Sequence, residues 1–286
     1  MAINYDKLLA LKIPDAEHTY TDKDTILYAL GVGLGHDPLD LKQLDFVYER
    51  SLKALPTFAA MLGYPGFWVR DLDTGIDWVR IVNGEQAVFL HQPLKPAGTV
   101  VGKTRVLEVI DKGPGKGALV YAERKVFDKA SGALIATTTQ TTFCRADGGF
   151  GGPPRESPPV HPIPGRAPDL VCDLATRPEQ ATIYRLSGDR NPLHIDPEMA
   201  TTAGFPKPIL HGLGTFGVVG HALLKSVCDY DPARVAAFGG RFSAPVFPGE
   251  TIRTEMWRDG NVVSFRASVP ARNVVVMNNG RAEVKG

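Results

Sequence analysis

Cysteine is scarce in this chain. The 286 residues contain three, Cys144, Cys172 and Cys228, far apart and without a C-x-x-C pair. Neither a disulfide framework nor a thiolate zinc site is expected, and the setting that suits such usage is a reducing cytoplasm. Excess charge is missing too. The formal net charge is +1, with no basic stripe and no acidic tail, so no nucleic-acid partner is expected. The apolar runs fall well short of the roughly 18 residues that span a bilayer, which argues against a membrane partner. The start, MAINYDKLLALKIPD, lacks the basic region and apolar stretch of a secretory signal, and AEVKG is not an S-K-L address.

What is present reads as a globular protein of two domains. Hydrophobic residues make up 43% and charged residues 22%, ordinary values for a packed chain. Residues 148–169, GGFGGPPRESPPVHPIPGRAPD, hold seven prolines and five glycines. Such a segment forms neither a helix nor a central strand. It is expected to link a domain at 1–147 to a second at 170–286.

The two halves share a plan. DTILYALGVGLGHDPLDL (24–41) parallels QATIYRLSGDRNPLHIDP (180–197), each helical in period and passing through glycine into a turn. TVVGKTRVLEVID, ALVYAERKVFD and LIATTTQTTF read as strands of the first half, and TIRTEMW, VVSFRASV and NVVVMN as their counterparts. Asp259–Gly260 marks a hairpin between two of these. Each half is therefore expected to be α+β, helix first and antiparallel sheet after.

Two glycine motifs fail their context tests. AGTVVGKT (97–104) fits a permissive phosphate-loop pattern, but HQPLKP precedes it and the β-branched TRVLEVI follows. GLGTFG (212–217) fits G-x-G-x-x-G, but Pro206 and Pro208 break the strand that a dinucleotide site needs upstream. No H-E-x-x-H or other paired metal-ligand spacing occurs.

The chemistry concentrates at 176–217. Thr176-x-x-Glu179 reads as a capping box, the helix runs through Tyr184, and Gly188 stops it. Asp189 then leaves the helix end, Asn191–Pro192 forces a turn, and His194 returns toward Asp189. Downstream, ILHGLGTFGVVGHALLKSV reads as a helix starting at His211–Gly212. Its first N–H groups would face an anion or a developing oxyanion, and Gly212 allows close approach. A carboxylate, an imidazole, an amide and an oxyanion donor make up the inventory for proton transfer beside a polarised carbonyl. On the residues alone, the bland alternative stands beside it: turn and cap formers with a satisfied histidine. His211 reads as a supporting histidine rather than a catalytic one.

YRLSGDRNPLHID (184–196) followed by ILHGLGTFG closely resembles the hydratase 2 motif of the R-specific enoyl-CoA hydratases, a branch of the MaoC-like dehydratases. The resemblance covers the whole chain and implies a double hot-dog fold, each half a long helix wrapped by a curved antiparallel sheet. It implies that Asp189 and His194 are the catalytic pair, that Asn191 orients them, and that the Gly212 N–H binds a thioester oxygen. It implies substrate contacts from Asn83, Gly84, Lys112, Arg190, Pro192, Leu193 and Phe242. Asn83 departs from the family, which has His before Gly-Glu-Gln. The first half has no His at the position of His194, Asp40 being nearest, so it is expected to be non-catalytic and to make room for an acyl tail. Gly31, Gly33 and Gly35 would free that volume. The implied activity is hydration of trans-2-enoyl-CoA to (3R)-3-hydroxyacyl-CoA in fatty acid metabolism, by a homodimer without metal or other cofactor. CoA enters only as part of the substrate. A hot-dog thioesterase, a non-catalytic acyl-CoA binder, and a dehydratase acting on carrier-protein thioesters are the alternatives.

Overall fold

The computed structural model describes residues 3–286. The first half carries α1 (Tyr5–Leu9), β1 (Ala16–Tyr20), α2 (Asp22–Gly31), α3 (Leu41–Leu44), α4 (Trp68–Asp71), β2 (Ile81–Leu90), β3 (Gly98–Asp111), β4 (Ala118–Asp128) and β5 (Leu134–Cys144). The second carries β6 (Leu170–Ala175), α5 (Gln180–Tyr184), α6 (Pro197–Thr202), α7 (Gly212–Ser226), β7 (Val235–Phe242), β8 (Thr251–Asp259), β9 (Val262–Val269) and β10 (Val274–Val284). Both glycine motifs resolve accordingly: 98–104 lies in β3, and 212–217 opens α7.

All ten strands form one antiparallel sheet in the order β1-β3-β4-β5-β2-β7-β10-β9-β8-β6. Alternation explains its faces. Along β4, Ala118, Val120, Ala122, Arg124 and Val126 are all buried, and the residues between them are half-exposed. The halves meet at one seam, where β2 pairs with β7 from Glu85↔Arg241 to Phe89↔Ala237. The approach is close: a Cβ on Gly239 would lie 2.6 Å from the Cβ of Ala87, so glycine is required there.

The concave faces are filled unequally. In the second half α7 lies buried along most of its length, its Phe216 stacking edge-on against Phe238 of β7 with centroids 4.8 Å apart. The first half departs from the expected long helix. The corresponding space holds a short 3-10 turn, Pro56–Ala60, fully buried. Proline at its start and the brevity of the turn leave the first-half sheet incompletely covered.

The expected capping box does not form. Thr176 donates to the Glu250 carbonyl at 2.8 Å and accepts from the Gly249 N–H at 3.0 Å, while Glu179 holds the N-cap position of α5 without a side-chain bond to it. Tertiary bonds to the β7–β8 connection outcompete the local pattern. Residues 148–169 hold no helix and no strand before the sheet resumes at Leu170. The segment is strapped down by side chains. Asp111 accepts from the N–H of Gly149 and of Gly151, the Asn279 amide donates to the His161 carbonyl, and the Trp257 indole donates to the Arg166 carbonyl. All three cysteines are buried and unpaired. No helix among the described residues is long and apolar enough to cross a membrane.

Candidate active site

The local turn chemistry places the acid and the imidazole. Gly188 takes φ +131°, a left-handed value that suits glycine, and ends the helical run. The Asn191 N–H then donates to Asp189 Oδ1 at 3.1 Å, and Asn191 Oδ1 accepts from the Leu193 N–H at 3.1 Å. Asn191 thus orients Asp189 through its backbone, because its side-chain oxygen is spent on the turn. A short 3-10 turn, Pro192–His194, brings the ring inward, and Asp196 caps α6 by accepting from the N–H of Glu198.

His194 is 7% exposed, while the Asp189 side chain is half-open to the cavity. His194 Nδ1 lies 2.8 Å from the Ile209 carbonyl. A carbonyl only accepts, so Nδ1 carries the proton and Nε2 keeps its lone pair. Burial pushes the His194 pKa below the ordinary histidine value, against the upward pull of the Ile209 bond and Asp189, and the ring is neutral near pH 7. Nε2 and Asp189 Oδ2 stand 4.0 Å apart, too far for a direct bond. A single water donating about 2.8 Å bonds to both would open an angle of roughly 90° at its oxygen, close to what water's own geometry provides.

His211 supports this pair. Its ring stacks on His194 with centroids 3.7 Å apart, and its Nε2 donates to the Asp189 carbonyl at 3.1 Å. Burial, then the neighbouring His194, lowers its pKa to about 4. Asp189, His194 and His211 also bring one donor atom each within 4.8 Å of one another, the group among the described residues able to hold a metal ion.

The start of α7 follows directly on His211. Gly212 is its first residue, and among the described residues its N–H has no partner. Asn83 of β2 faces it: the Gln140 amide donates to Asn83 Oδ1 at 2.6 Å, and Asn83 Nδ2 lies 3.7 Å from where a Cβ on Gly212 would be. An amide therefore stands where the family has an imidazole, and it turns its N–H groups toward the helix start. Two donors thus stand close together on the cavity wall, the kind of pair that suits developing negative charge.

Apart from the buried His211, these groups line one cavity of about 1320 Å³ that runs from the second half into the first. Arg190, Pro192, Leu193 and Phe242 line it beside Asp189, His194, Gly212 and Asn83. Gly84 and Lys112 do not. Gly84 sits at a bulge in β2, packed on the Thr141 carbonyl, and Lys112 is tied into the β3–β4 turn by its N–H bond to Gly117. The expected volume from Gly31, Gly33 and Gly35 is not the source of the cavity. Gly31 packs on Tyr184, and the other two serve turns at φ +89° and +75°. The first-half wall is instead built by Leu27, Phe58, Met61 and Tyr64. None of these, nor Gln140 or Ile209, carries a local motif, and only their place in the fold reveals them.

The profile described as "MFE-2 hydratase 2 N-terminal domain" matches residues 18–146, and that described as "MaoC like domain" matches residues 159–279. The chain is 38% identical over 304 residues to the peroxisomal enoyl-CoA hydratase 2 of Arabidopsis thaliana, covering 99% of this chain and 96% of the relative. It is 43% identical over 275 residues to 3-hydroxyacyl-thioester dehydratase Y of Mycobacterium tuberculosis, covering 92% of each. The crystal structure of a MaoC-like dehydratase from Phytophthora capsici superposes with a TM-score of 0.88 at 37% identity, over 99% of both chains.

Proposed function

The chain belongs to the enoyl-CoA hydratase 2 branch of the MaoC-like dehydratases, with their double hot-dog fold, and from that premise we propose that it hydrates trans-2-enoyl-CoA reversibly to (3R)-3-hydroxyacyl-CoA. The observation that carries the reading is the 4.0 Å gap between Asp189 Oδ2 and His194 Nε2, two acceptors facing one water-sized space. The thioester oxygen accepts from the Gly212 N–H and the Asn83 amide. Polarising that carbonyl makes C3 electrophilic through the conjugated double bond. The water held by Asp189 and His194 delivers hydroxide to C3, and the proton it gives up is returned to C2, so the pair ends as it began. One preorganised donor of this kind is worth about 3–4 kcal/mol, and acid–base assistance by the pair about 10²–10⁴ in rate.

Asn191 positions Asp189, and Arg190, Pro192, Leu193 and Phe242 shape the passage for the thioester arm. Lys112 and Gly84 lie off the cavity wall, and they take no part in this reading. Every step is assigned to protein groups, so the rate is expected to survive exhaustive dialysis against a chelator. A rate that falls and returns with a divalent ion would instead assign Asp189, His194 and His211 to a metal. Three unpaired buried thiols support a cytoplasmic setting; the homodimer is checked by light scattering.

The test follows two signals at once on a four-carbon trans-2-enoyl-CoA. Loss of the enoyl absorbance without free thiol is the expected result, with the R product identified by a stereospecific dehydrogenase. Stoichiometric thiol release, seen also with a saturated acyl-CoA, would place the attack at C1 and make the protein a thioesterase.

A further inference from the structure

The inner face of the first-half sheet should be apolar, and one row across it is not. Thr104 of β3, Arg124 of β4 and Thr138 of β5 stand directly abreast. Above and below Arg124 on the same face are Ala122 and Val126, so an aliphatic residue would satisfy the fold there. All three polar residues line the cavity. Arg124 is 7% exposed, and among the described residues no carboxylate pairs with it. One terminal nitrogen donates to the Ala60 carbonyl, and the guanidinium lies over Tyr64 at 5.4 Å from the ring centroid. Its Nε and the Thr104 hydroxyl are buried without any partner.

A buried charge with unspent donors is costly unless something neutralises it. Apart from Asp189 in the catalytic turn, the carboxylates bordering the same cavity are engaged elsewhere. Asp24 accepts from Thr21, Glu17 pairs with Lys129, and Glu123 pairs with Arg105. Burial lowers the Arg124 pKa only to about 10, so the cation persists near neutral pH.

The position relative to the reaction centre decides what would reach it. Met61 packs its methyl on Gly188, next to Asp189, and Arg124 holds the carbonyl of the preceding residue, Ala60. The wall therefore runs from the catalytic turn through Met61 and Tyr64 to Arg124, deep in the first half. Cations suited to the phosphates of CoA are available elsewhere on the same cavity, in the exposed Arg145 and Arg190.

We propose that Arg124, with Thr104 and Thr138, forms a subsite for a carboxylate at the far end of the acyl chain, so that the protein takes enoyl-CoA thioesters of dicarboxylic acids. This rests on the hydratase reading. A guanidinium offers a carboxylate two parallel N–H donors, and the flanking hydroxyls complete the cradle.

The experiment compares kcat/KM for ten-carbon trans-2-enoyl-CoA and for the same chain ending in a second carboxylate. The wild type is expected to prefer the dicarboxylic substrate by about tenfold, as a desolvated charge-assisted pair allows. Arg124→Met is expected to erase that ratio, and Arg124→Lys to restore part of it. Should Arg124→Met fail to fold, competition in the wild type between saturated ten-carbon mono- and dicarboxylic acyl-CoA gives the same ratio. Pantetheine thioesters, which lack the nucleotide phosphates, are expected to keep it. A wild-type preference for the plain chain would overturn the subsite. So would equal losses on both substrates in Arg124→Met, or a penalty that vanishes with pantetheine thioesters, which would assign the cation to CoA. Absence of hydration even on a four-carbon enoyl-CoA would fault the hydratase reading instead.

Discussion

The two halves pair their strands into one sheet, yet they fill that sheet differently, and the difference divides their labour. The second half lays fifteen residues of α7 along its concave face and uses the start of that helix as a donor. The first half has only the Pro56–Ala60 turn in the same role, and it keeps the space as cavity. Where the second half has His194 held by a carbonyl, the first has Asp40, which caps α3 and accepts from Tyr230 and Gln43. A structural carboxylate has replaced a reactive imidazole. Chemistry needs a filled, rigid frame, and a long substrate needs an unfilled one. One fold supplies both by shortening a single helix.

The largest effect that tests this division is on the catalytic pair. Asp189→Asn or His194→Ala is expected to cut turnover by about 10²–10⁴ while leaving the circular dichroism unchanged, because both lie in turns. Folded variants with near-normal rates would erase the contrast between halves.

Next comes acid sensitivity, which the second half should dominate. His221 is 1% exposed, and burial lowers its pKa to about 4. Below the unfolded value near 6.5, the unfolded chain takes a proton that the folded one refuses. Stability is therefore full above about pH 6.5, falls as the pH drops toward 4, and levels off below. His221 alone contributes about 3 kcal/mol to that loss, and His211 acts with the same sign. Urea titrations at stepped pH check it, and His221→Gln should flatten the slope. An unchanged slope would move the acid sensitivity elsewhere.

A smaller loss is expected from the one group the first half lends to the reaction. Asn83→Ala should lower kcat by about 10²-fold, the low end for one lost preorganised donor, with KM for a four-carbon substrate shifting less. An effect on KM alone would reduce Asn83 to a binding contact. Smaller again is the response to narrowing the cavity. Met61→Trp should lower kcat/KM for a ten-carbon chain several-fold more than for a four-carbon one, since overfilling a packed wall displaces what passes it. The smallest effect belongs to Asp40. With no substrate contact assigned to it, Asp40→Asn should alter turnover by less than about twofold, and a large loss of kcat would reopen the first half as a reaction centre.

Six of the ten strands were legible because they are rich in β-branched residues and bounded by turn formers. The seam strands were not. Asn83–Gly84 interrupts β2 and Gly239–Gly240 interrupts β7, and glycine weakens the alternation on which reading depends. The shortened helix escaped for a different reason: the resemblance implied a long helix in each half, where Pro56 and tertiary packing permit only a turn. Asp189, Asn191 and His194 could be found in the sequence because one turn holds them all. Asn83, Gln140 and Arg124 come to the cavity from strands of the other half, and no local spacing encodes a meeting across a sheet. Thr176 shows the reverse failure, a good local signature overruled by a carbonyl 74 residues away.

The strap at 148–169 has a consequence for how such a molecule can change. Two identical single hot-dog chains meeting edge to edge would be related by a twofold axis, and every substitution would then be felt twice. Opening one half for a long chain would open both and dismantle the donor helix along with it. Joined through the strap, the halves carry separate instructions, and a shortened helix on one side leaves the other intact. The covalent link is thus what permits asymmetry: a reactive half and a receptive half that no symmetric pair of identical chains could hold at once.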